Sequence, residues 1–471
     1  MNLAPLLPFW EKGLGDEGLL NQLCRYLMDN LAQTLKQRRE KLAQLIDFPV
    51  ILWSGGASPR NFPANRYPFR ASSHFLYFAG LQLENAAIRL HQGDMELFMN
   101  PPTEGSALWH GETPHPREIA DRIGAEAVYT MNELILYTAE AATIPVQNAK
   151  TYQKQMLMLD RTLTPAHQPT GLDLELTKAI INLRLGHDAA ALGELRQAAA
   201  VTVKAHQVGR AAISQASTEA EVRAAMEAVL TSHQMTCAYS SIVTVHGEVL
   251  HNDHYHHALQ PGDLLLIDVG AETATGWAGD VTRTWPVSGQ LSPTQQDIYD
   301  VVLAAHDACI AAVAPGVEYQ SIHLLAAQMI AYGLSSLGIL KGHPEDLVAQ
   351  DAHALFFPHG IGHLLGLDVH DMEDLGDLAG YAPGRGRSDR FGLKFLRLDR
   401  PLQTGMVVTI EPGFYQVPAI LNHAATREKY QGIVDWDCLA KFADVRGIRI
   451  EDDVLVTATG REVLTSALET S

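Results

Sequence analysis

The pattern of apolar and polar positions predicts two regions of different architecture. In the first region, a charged amphipathic segment at residues 31–49 predicts a helix, and the apolar runs VILW, FLYFAGL and MELFMN predict short strands joined by polar loops. From about residue 174, an Ala- and Leu-rich stretch with apolar residues at i, i+3 and i+4 predicts long helices. Beyond residue 236, apolar strands such as LLLIDVG alternate with further helices. The chain is therefore predicted to be an α+β protein in which a smaller α/β domain precedes a larger one.

A loop of turn-forming residues separates the two regions. The segment TPAHQPTG, at residues 164–171, combines prolines, a glycine and polar residues. We assign residues 1–30 to an N-terminal extension with helical periodicity, residues 31–175 to the first domain and residues 176–471 to the second.

Composition excludes some partners. The chain carries 35 Lys and Arg against 54 Asp and Glu, and the net charge of −19 disfavours nucleic acid and anionic membranes. The 4 cysteines are scattered, without metal-finger spacing, which is typical of reduced thiols in a cytoplasmic protein. No apolar run reaches the length of a membrane span, about 18 residues, and the N-terminus lacks a signal-peptide pattern. We therefore expect a cytoplasmic protein with no nucleic-acid or membrane partner.

Five ionisable residues in the second domain interrupt apolar or glycine-rich sequence. Carboxylates and histidines are rarely placed there unless something compensates their burial. Each alone has a plainer explanation, such as a turn aspartate, a core histidine or a glutamate paired with an arginine. Four carboxylates and one imidazole converging on one point would repel unless cations neutralised them, so together they predict a two-metal site. The five motifs are LLLIDVG with Asp268, GDVTRTWPV with Asp280, HGIGHLLGLDVHD with His363, VVTIEPGFY with Glu411 and GIRIEDDVLVT with Glu451.

The types of the ligands limit which metal ions are expected at the site. Hard oxygen and imidazole ligands suit Mn²⁺, Fe²⁺ or Co²⁺ better than a thiolate-type zinc site, although Zn²⁺ also fits. Asp268 and Asp280 flank a predicted hairpin turn, AETATG. An antiparallel hairpin would let these two carboxylates face each other across the ladder, with a cation between them.

In this order, the five motifs resemble those of the pita-bread metallopeptidases of the Xaa-Pro group, aminopeptidase P and prolidase. The segments FRASSHFLYFAGL (69–81) and ALWHGET (107–113) resemble the creatinase-type N-terminal domain of the same enzymes. The resemblance covers nearly the whole chain after about residue 30. It implies a C-terminal pita-bread (creatinase/aminopeptidase) fold with a smaller creatinase-type α/β N-terminal domain. One departure is a turn between Asp268 and Asp280 that is one residue longer than usual.

The resemblance also implies roles for the five ligands. Asp268 would bind one metal, and Asp280 and Glu451 would bridge both. His363 and Glu411 would complete the second metal. A water or hydroxide held between the metals would be the nucleophile, and Glu411 would carry its proton.

Other residues match substrate-contacting positions of the resembled family. His251 in VLHND would contact the substrate, and His370 would hold the scissile carbonyl and stabilise the oxyanion. His359 would line the proline pocket, and Arg449 would steady the metal-site carboxylates or the substrate. Trp109 would reach into the active site of a neighbouring subunit, which implies a homodimer or homotetramer.

Two activities remain open at this point. The first is an Xaa-Pro aminopeptidase of the aminopeptidase P type, which acts on peptides with proline at the second position. The alternative is a prolidase, which cleaves only Xaa-Pro dipeptides, and the segments FPHGIGHLLGLDVHDM and 412–450 look prolidase-like. A remote alternative is a non-catalytic pita-bread peptide-binding module, which would have lost the ligands that this chain retains.

Three polar segments near these motifs invite simpler interpretations. HNDHYHH (251–257) is interpreted as a solvated loop rather than a second metal site. The acidic run MEDLGD (372–377) is also interpreted as a solvated loop. The stretch 380–395 is interpreted as an insertion near the cleft with solvent-facing arginines, of which Arg385 and Arg387 are candidates for a substrate carboxylate.

Overall fold

The computed structural model describes residues 31–470, and the chain divides into two units. The first unit extends to Thr164 and includes Pro169–Ile180, and the second contains Pro165–Gln168 and Ile181–Ser471. The predicted extension at residues 1–30 lies outside the described residues. The domain boundary between residues 175 and 176 stays a prediction.

The first unit is built on one four-stranded sheet. The strands of the whole unit are β1 (Val50–Trp53), β2 (Pro59–Phe62), β3 (Asn65–Arg66), β4 (Ala87–His91), β5 (Asp94–Phe98) and β6 (Ala127–Tyr129). Its helices are α1 (31–43), α2 (Ser73–Ala79), α3 (Ser106–His110), α4 (Pro116–Ile123), α5 (Ala149–Leu159) and the start of α6 (Gly171–Arg184), with a 3₁₀ turn at Glu133–Tyr137. The sheet order is β1-β4-β5-β6, antiparallel except for the parallel β5–β6 pair, and β2 and β3 form a separate hairpin.

One predicted strand of this unit is a helix. The run FLYFAGL contributes most of α2, whose seven residues are all buried, and Gly80 ends the helix at a left-handed φ of 65°. A short apolar run has no periodicity that separates a buried strand from a buried helix, so only its packing decides. The strand prediction was wrong for this reason.

The second unit combines long helices with small antiparallel sheets. Its helices are α7 (Ala189–Ile213), α8 (Glu219–Ser232), α9 (Pro293–Ala312), α10 (Tyr319–Ser336), α11 (Pro344–Ala349), α12 (Asp377–Gly380), α13 (Pro418–Leu421), α14 (Ala424–Lys429) and α15 (Trp436–Leu439), with 3₁₀ turns at Ala352–Leu355, Glu373–Leu375 and Ala440–Phe442. Its strands are β7 (Thr236–Cys237), β8 (Ile242–Thr244), β9 (Leu264–Asp268), β10 (Ala271–Glu272), β11 (Thr282–Pro286), β12 (Val407–Ile410), β13 (Gly413–Tyr415), β14 (Gly447–Arg449), β15 (Asp452–Thr457) and β16 (Gly460–Val463).

The core of the second unit lies between α8 and the sheet of β8, β9 and β11. Val222, Met226 and Leu230 recur every four residues along α8, so they share one face, and all three are buried. They join Val243 of β8 and Ile267 of β9 in one apolar cluster. This packing fixes β9, whose last residue is Asp268.

The sheets bring strand ends together at one place. Their orders are β11-β9-β8, β12-β15-β16, β13-β14 and β10-β7. Asp268 ends β9, Glu411 follows β12, and Glu451 lies in the break between β14 and β15. Three of the predicted ligands therefore lie at or next to the end of a strand. At such a position, the side chain is free of the inward and outward alternation of the strand, while the neighbouring residues remain packed.

The prediction that Asp268 and Asp280 face each other across the ladder was wrong, because the strands pair in a different register. β9 and β11 are antiparallel as expected, but Thr282 lies opposite Asp268. Of the residues predicted as the turn, Ala271 and Glu272 form β10, which pairs with β7, and Glu272 also bridges to Ala278, so the chain turns between these two residues. Asp280 thus lies just before the ladder, next to Asp268 in space rather than across from it.

No helix among residues 31–470 is long and apolar enough to span a membrane.

Candidate metal centre

The five predicted ligands lie together in the second unit. Ligand atoms of Asp280, His363 and Glu451 are all within 4.8 Å of one another. His363 Nε2 is 3.3 Å from Asp280 Oδ2 and 3.7 Å from Glu411 Oε1. Asp268 joins them through Asp280, because both carboxylates contact one hydroxyl group. The sequence spacing therefore encodes one cluster of four carboxylates and one imidazole.

That hydroxyl belongs to Tyr239, which none of the sequence motifs predicted as a site residue. Its Oη lies 2.5 Å from Asp268 Oδ1 and 2.5 Å from Asp280 Oδ1. A phenol has one proton, so it donates to only one of the two carboxylates at a time. Burial and these two carboxylates raise the pKa of Tyr239 well above its usual value, which keeps it a donor. Nothing in the segment CAYSSIVTV marks this tyrosine, because its partners lie far away in sequence.

Arg449 compensates part of the negative charge. Its Nη2 donates to Asp268 Oδ2 at 2.6 Å, and its Nε donates to Thr282 Oγ1 at 2.9 Å. Thr282 in turn donates to Glu451 Oε2 at 2.7 Å. The arginine therefore pairs with Asp268 and reaches Glu451 only through a threonine hydroxyl, so the plainer explanation of Glu451 as an arginine-paired glutamate fails.

The remaining charge is not compensated within the protein. Burial, followed by the Asp268 carboxylate, raises the pKa of Asp280 to about 8. Burial raises the pKa of Glu411 to about 7 despite His363 and Arg449, which act to lower it. Burial and the carboxylates of Asp280 and Glu411 raise the pKa of Glu451 as well. Divalent cations would remove both the desolvation cost and the repulsion, so the residues present fit a metal centre of hard ligands.

The backbone around His363 aims its ring at this cluster. Its Nδ1 lies 3.0 Å from the carbonyl oxygen of Leu364, which leaves Nε2 towards the carboxylates. Its backbone N–H donates to Thr409 Oγ1 at 3.2 Å. A side chain at Gly362 would collide with the carbonyl oxygen of Thr409, so the close approach to β12 requires glycine.

A cavity of about 300 Å³ opens onto the cluster. The predicted substrate residues His251, His359, His370 and Arg449 line it together with all five ligands. The rings of His370 and His363 meet edge to face with centroids 4.2 Å apart. His359 Nε2 is 2.9 Å from the hydroxyl of Tyr415, and burial lowers the pKa of His359 to about 3. These histidines are therefore in reach of a ligand in the cavity.

Trp109 does not belong to this group. It lies on α3 of the first unit with 80% of its surface exposed. The prediction that it reaches a neighbouring subunit stays a prediction.

The acidic run and the insertion differ from their simple interpretations. The arginines of the insertion are solvent-exposed as expected, but each forms ion pairs with acidic residues. Arg385 is paired with Glu318 and Asp399, Arg387 with Asp377, and Arg390 with Asp351. Neither Arg385 nor Arg387 lines the cavity, whereas Arg397 does. Glu373 of the acidic run is paired with Arg397 at 2.5 Å. Glu373 was noticed only as part of the acidic run and interpreted as solvated, and Arg397 was missed because it lies just beyond the stretch 380–395.

The histidine-rich segment forms no second centre. Its rings lie close, with 4.1 Å between the centroids of His256 and His257, but the nitrogens of His257 and His246 face glutamates. Within residues 31–470, one group of three or more residues is arranged to hold a metal ion, and it consists of Asp280, His363 and Glu451.

Comparison with known proteins assigns the family. The sequence pattern of metallopeptidase family M24 matches residues 193–458, and that of the aminopeptidase P N-terminal domain matches residues 35–147. The first match spans more than half of the chain, so the chain belongs to metallopeptidase family M24. Membership implies divalent metal ions, which agrees with the ligand set of the cluster.

Relatives and solved structures extend the similarity over both units. The chain is 30% identical over 416 residues to a probable Xaa-Pro aminopeptidase, PEPP, of Fusarium vanettenii, covering 85% of each chain. It is 31% identical over 410 residues to a probable Xaa-Pro aminopeptidase of Tuber melanosporum, covering 85% of this chain and 84% of that one. The solved aminopeptidase PepP of Pseudomonas aeruginosa aligns with a TM-score of 0.75 at 27% identity, covering 93% of this chain and 96% of its own. Zn-substituted aminopeptidase P of E. coli in complex with product aligns with a TM-score of 0.73 at 26% identity, covering 93% and 96%. The predicted two-domain fold is confirmed.

Proposed function

We propose that this metallopeptidase is an Xaa-Pro aminopeptidase, which hydrolyses the bond between the first residue of a peptide and a proline at the second position. The observation that carries the proposal is the single cavity lined by the five ligands and by His251, His359 and His370. Membership of family M24 and the Xaa-Pro aminopeptidases among the relatives support the reaction class.

The metal centre is proposed to hold two divalent ions. Asp268 would serve one ion, His363 and Glu411 the other, and Asp280 and Glu451 both. Mn²⁺ is our first choice, with Co²⁺, Fe²⁺ or Zn²⁺ as alternatives, because oxygen and imidazole ligands accept all of them. When bound, such ions act as Lewis acids and lower the pKa of a water ligand.

The protein's own groups would then orient the peptide and move the proton. Glu411 is proposed to carry the proton, because its carboxyl group lines the cavity beside His363. His370 is proposed to hold the scissile carbonyl, and His251 to contact the substrate, since both line the cavity. His359, braced by Tyr415, would line the proline pocket. Arg449 would keep the Asp268 carboxylate in place.

The assembly and location are also proposals. The exposed Trp109 and its neighbour Leu108, 80% and 81% exposed, support contact with a second copy in a homodimer or homotetramer. The composition supports a cytoplasmic protein.

A prolidase is the second candidate, and one observation favours it. The guanidinium of Arg397 lines the cavity together with His251 and His370, whose pKa values are lowered first by burial and further by nearby charges that include Arg397. A cation there could meet the free carboxylate of an Xaa-Pro dipeptide, which a longer peptide does not have at that position.

The two activities are separated by substrate length. Protein stripped of metal and reloaded with Mn²⁺ is assayed with an Xaa-Pro dipeptide and an Xaa-Pro-Yaa tripeptide. We expect release of the first residue from the tripeptide. Turnover of the dipeptide alone would replace the proposal by prolidase. Turnover of neither, with metal bound, would favour a peptide-binding module.

A further inference from the structure

Arg397 is held by one acidic residue. Glu373 Oε1 and Oε2 lie 2.7 Å and 2.5 Å from Arg397 Nη1, and both side chains are about one-third exposed. Burial acts to raise the pKa of Glu373, but His370 and Arg397 overcome it and lower the pKa to about 2. The acid is therefore charged throughout the working range of a peptidase, and it neutralises the cation that faces the cavity.

Glu373 does not line the cavity itself, but it contacts two residues that do, His370 and Arg397. Its Oε2 is 3.5 Å from His370 Nδ1, so the carboxylate stands between His370 and Arg397. An incoming carboxylate would have to displace Glu373 from Arg397 and approach its negative charge. A peptide carbonyl or a C-terminal amide has no net charge and meets neither obstacle.

We propose that Glu373 is a specificity-determining residue, which by occupying Arg397 selects peptides that continue beyond proline against Xaa-Pro dipeptides with a free carboxylate. The inference rests on the proposed function and names the residue that decides the length of its substrates. Selectivity then depends on a repulsive element rather than on a closed end of the cavity.

The neighbouring ion pairs do not share this position. Arg387 is paired with Asp377 at 2.8 Å, and Arg385 with Glu318 at 2.6 Å, but none of these four residues lines the cavity. Asp377 therefore provides a matched control, because its neutralisation changes the net charge by the same amount four residues away.

The test compares two substrates that differ only in charge. Ala-Pro and its C-terminal amide, Ala-Pro-NH₂, are assayed with the Mn²⁺-loaded wild type and with Glu373→Gln. We expect the ratio of kcat/KM for the acid over that for the amide to rise about tenfold in Glu373→Gln, because a free cation gains a charged partner and a repulsive charge is lost. The ratio isolates Arg397, since any effect through His370 changes both substrates alike.

Two further variants complete the test. In the double variant Glu373→Gln/Arg397→Gln, the ratio should return to the wild-type value or below, and in Asp377→Asn it should stay at the wild-type value. An unchanged ratio in Glu373→Gln, or a rise that persists in the double variant, would overturn the inference. Its failure is distinct from failure of the proposed function, which would appear as a wild type that cleaves neither Ala-Pro-NH₂ nor a tripeptide.

Discussion

At the residue scale, the metal centre depends on how a few side chains share protons and charge. Arg449 is the one cation bonded directly to Asp268 among the described contacts, and Tyr239 offers one proton to Asp268 and Asp280. The tyrosine hydroxyl therefore joins two of the carboxylate ligands. Such outer partners orient ligands and raise metal affinity.

Removal of that hydroxyl should weaken metal binding. We expect Tyr239→Phe to lower the affinity for Mn²⁺ by roughly 10- to 100-fold, the range typical of lost outer-shell partners, with folding retained. Isothermal titration of metal-stripped protein measures the effect. Tyr299→Phe, at a buried tyrosine outside the cavity, is the control and should bind Mn²⁺ like the wild type. Equal affinity in the wild type and Tyr239→Phe would contradict this role.

At the element scale, a loop of the second unit carries two of the predicted site histidines and is held in place by contacts with β12 and α6. The segment from His363 to Asp371 bonds to β12 through the N–H of Leu365 and the carbonyl oxygen of Val407. Its far end is tied to the end of α6, where Arg184 donates to Asp371 Oδ1 at 2.6 Å. Both side chains of that ion pair are 2% exposed. The position of His370, next to Asp371, therefore depends on a buried pair outside the cavity.

Breaking the buried pair should be far more costly than breaking an exposed one. We expect Arg184→Met to destabilise the protein by about 3–5 kcal/mol, because Asp371 would be left charged and buried. Arg196→Met breaks the exposed pair with Glu462, 47% and 42% exposed, and should cost less than about 1 kcal/mol. Urea unfolding of both variants provides the comparison. Similar shifts in the two variants would show that the buried pair does not anchor the loop.

At the scale of the whole molecule, the metal centre couples folding to pH. The pKa values of Asp280 and Glu411, about 8 and about 7, lie above those of the unfolded chain, which are about 4. A carboxyl group whose pKa is raised by folding makes its full contribution to the free energy of unfolding at pH values below its pKa in the unfolded chain. That contribution is lost as pH rises to the folded value, because the group must then be charged and buried. The metal-free protein should therefore lose stability between about pH 4 and pH 8 from these groups.

Bound metal should cancel this loss. We expect the difference in Tm between Mn²⁺-loaded and metal-stripped protein to widen from pH 5 to pH 8, since cations stabilise the charged carboxylates. Metal binding at pH 7 should also release protons, which is seen as a dependence of the titration heat on the ionisation enthalpy of the buffer. A constant Tm difference together with buffer-independent heats would contradict the raised pKa values.

Some features were predictable because they are local. The five ligand motifs each combine a charged residue with apolar or glycine neighbours, and that contrast is visible without knowledge of the fold. The long helices α7 and α9 follow from helical spacing, and their starts are marked by Asp188 and Ser292, whose side chains accept from the first turn. The two-domain α+β architecture followed from the same patterns.

Other features required the folded chain. Phe75–Ala79 of FLYFAGL lie in α2 and are all buried, and a short run that is apolar on every side has no periodicity that separates a helix from a strand. Asp268 lies opposite Thr282, in a register that continues through the Glu272–Ala278 bridge to a turn whose exact residues the sequence pattern did not reveal. Register is a property of two strands together, so one strand cannot specify it.

The types of the metal ligands and their local surroundings are visible in consecutive residues, so the chemistry that the protein can perform follows from its sequence. How that chemistry is supported and restricted depends on contacts that only folding creates. Tyr239 reaches Asp280, Arg184 reaches Asp371, and Glu373 reaches Arg397. Each contact joins residues that are distant in sequence or carried by separate loops, and a charge-assisted contact has its strength only at a distance and burial that packing sets.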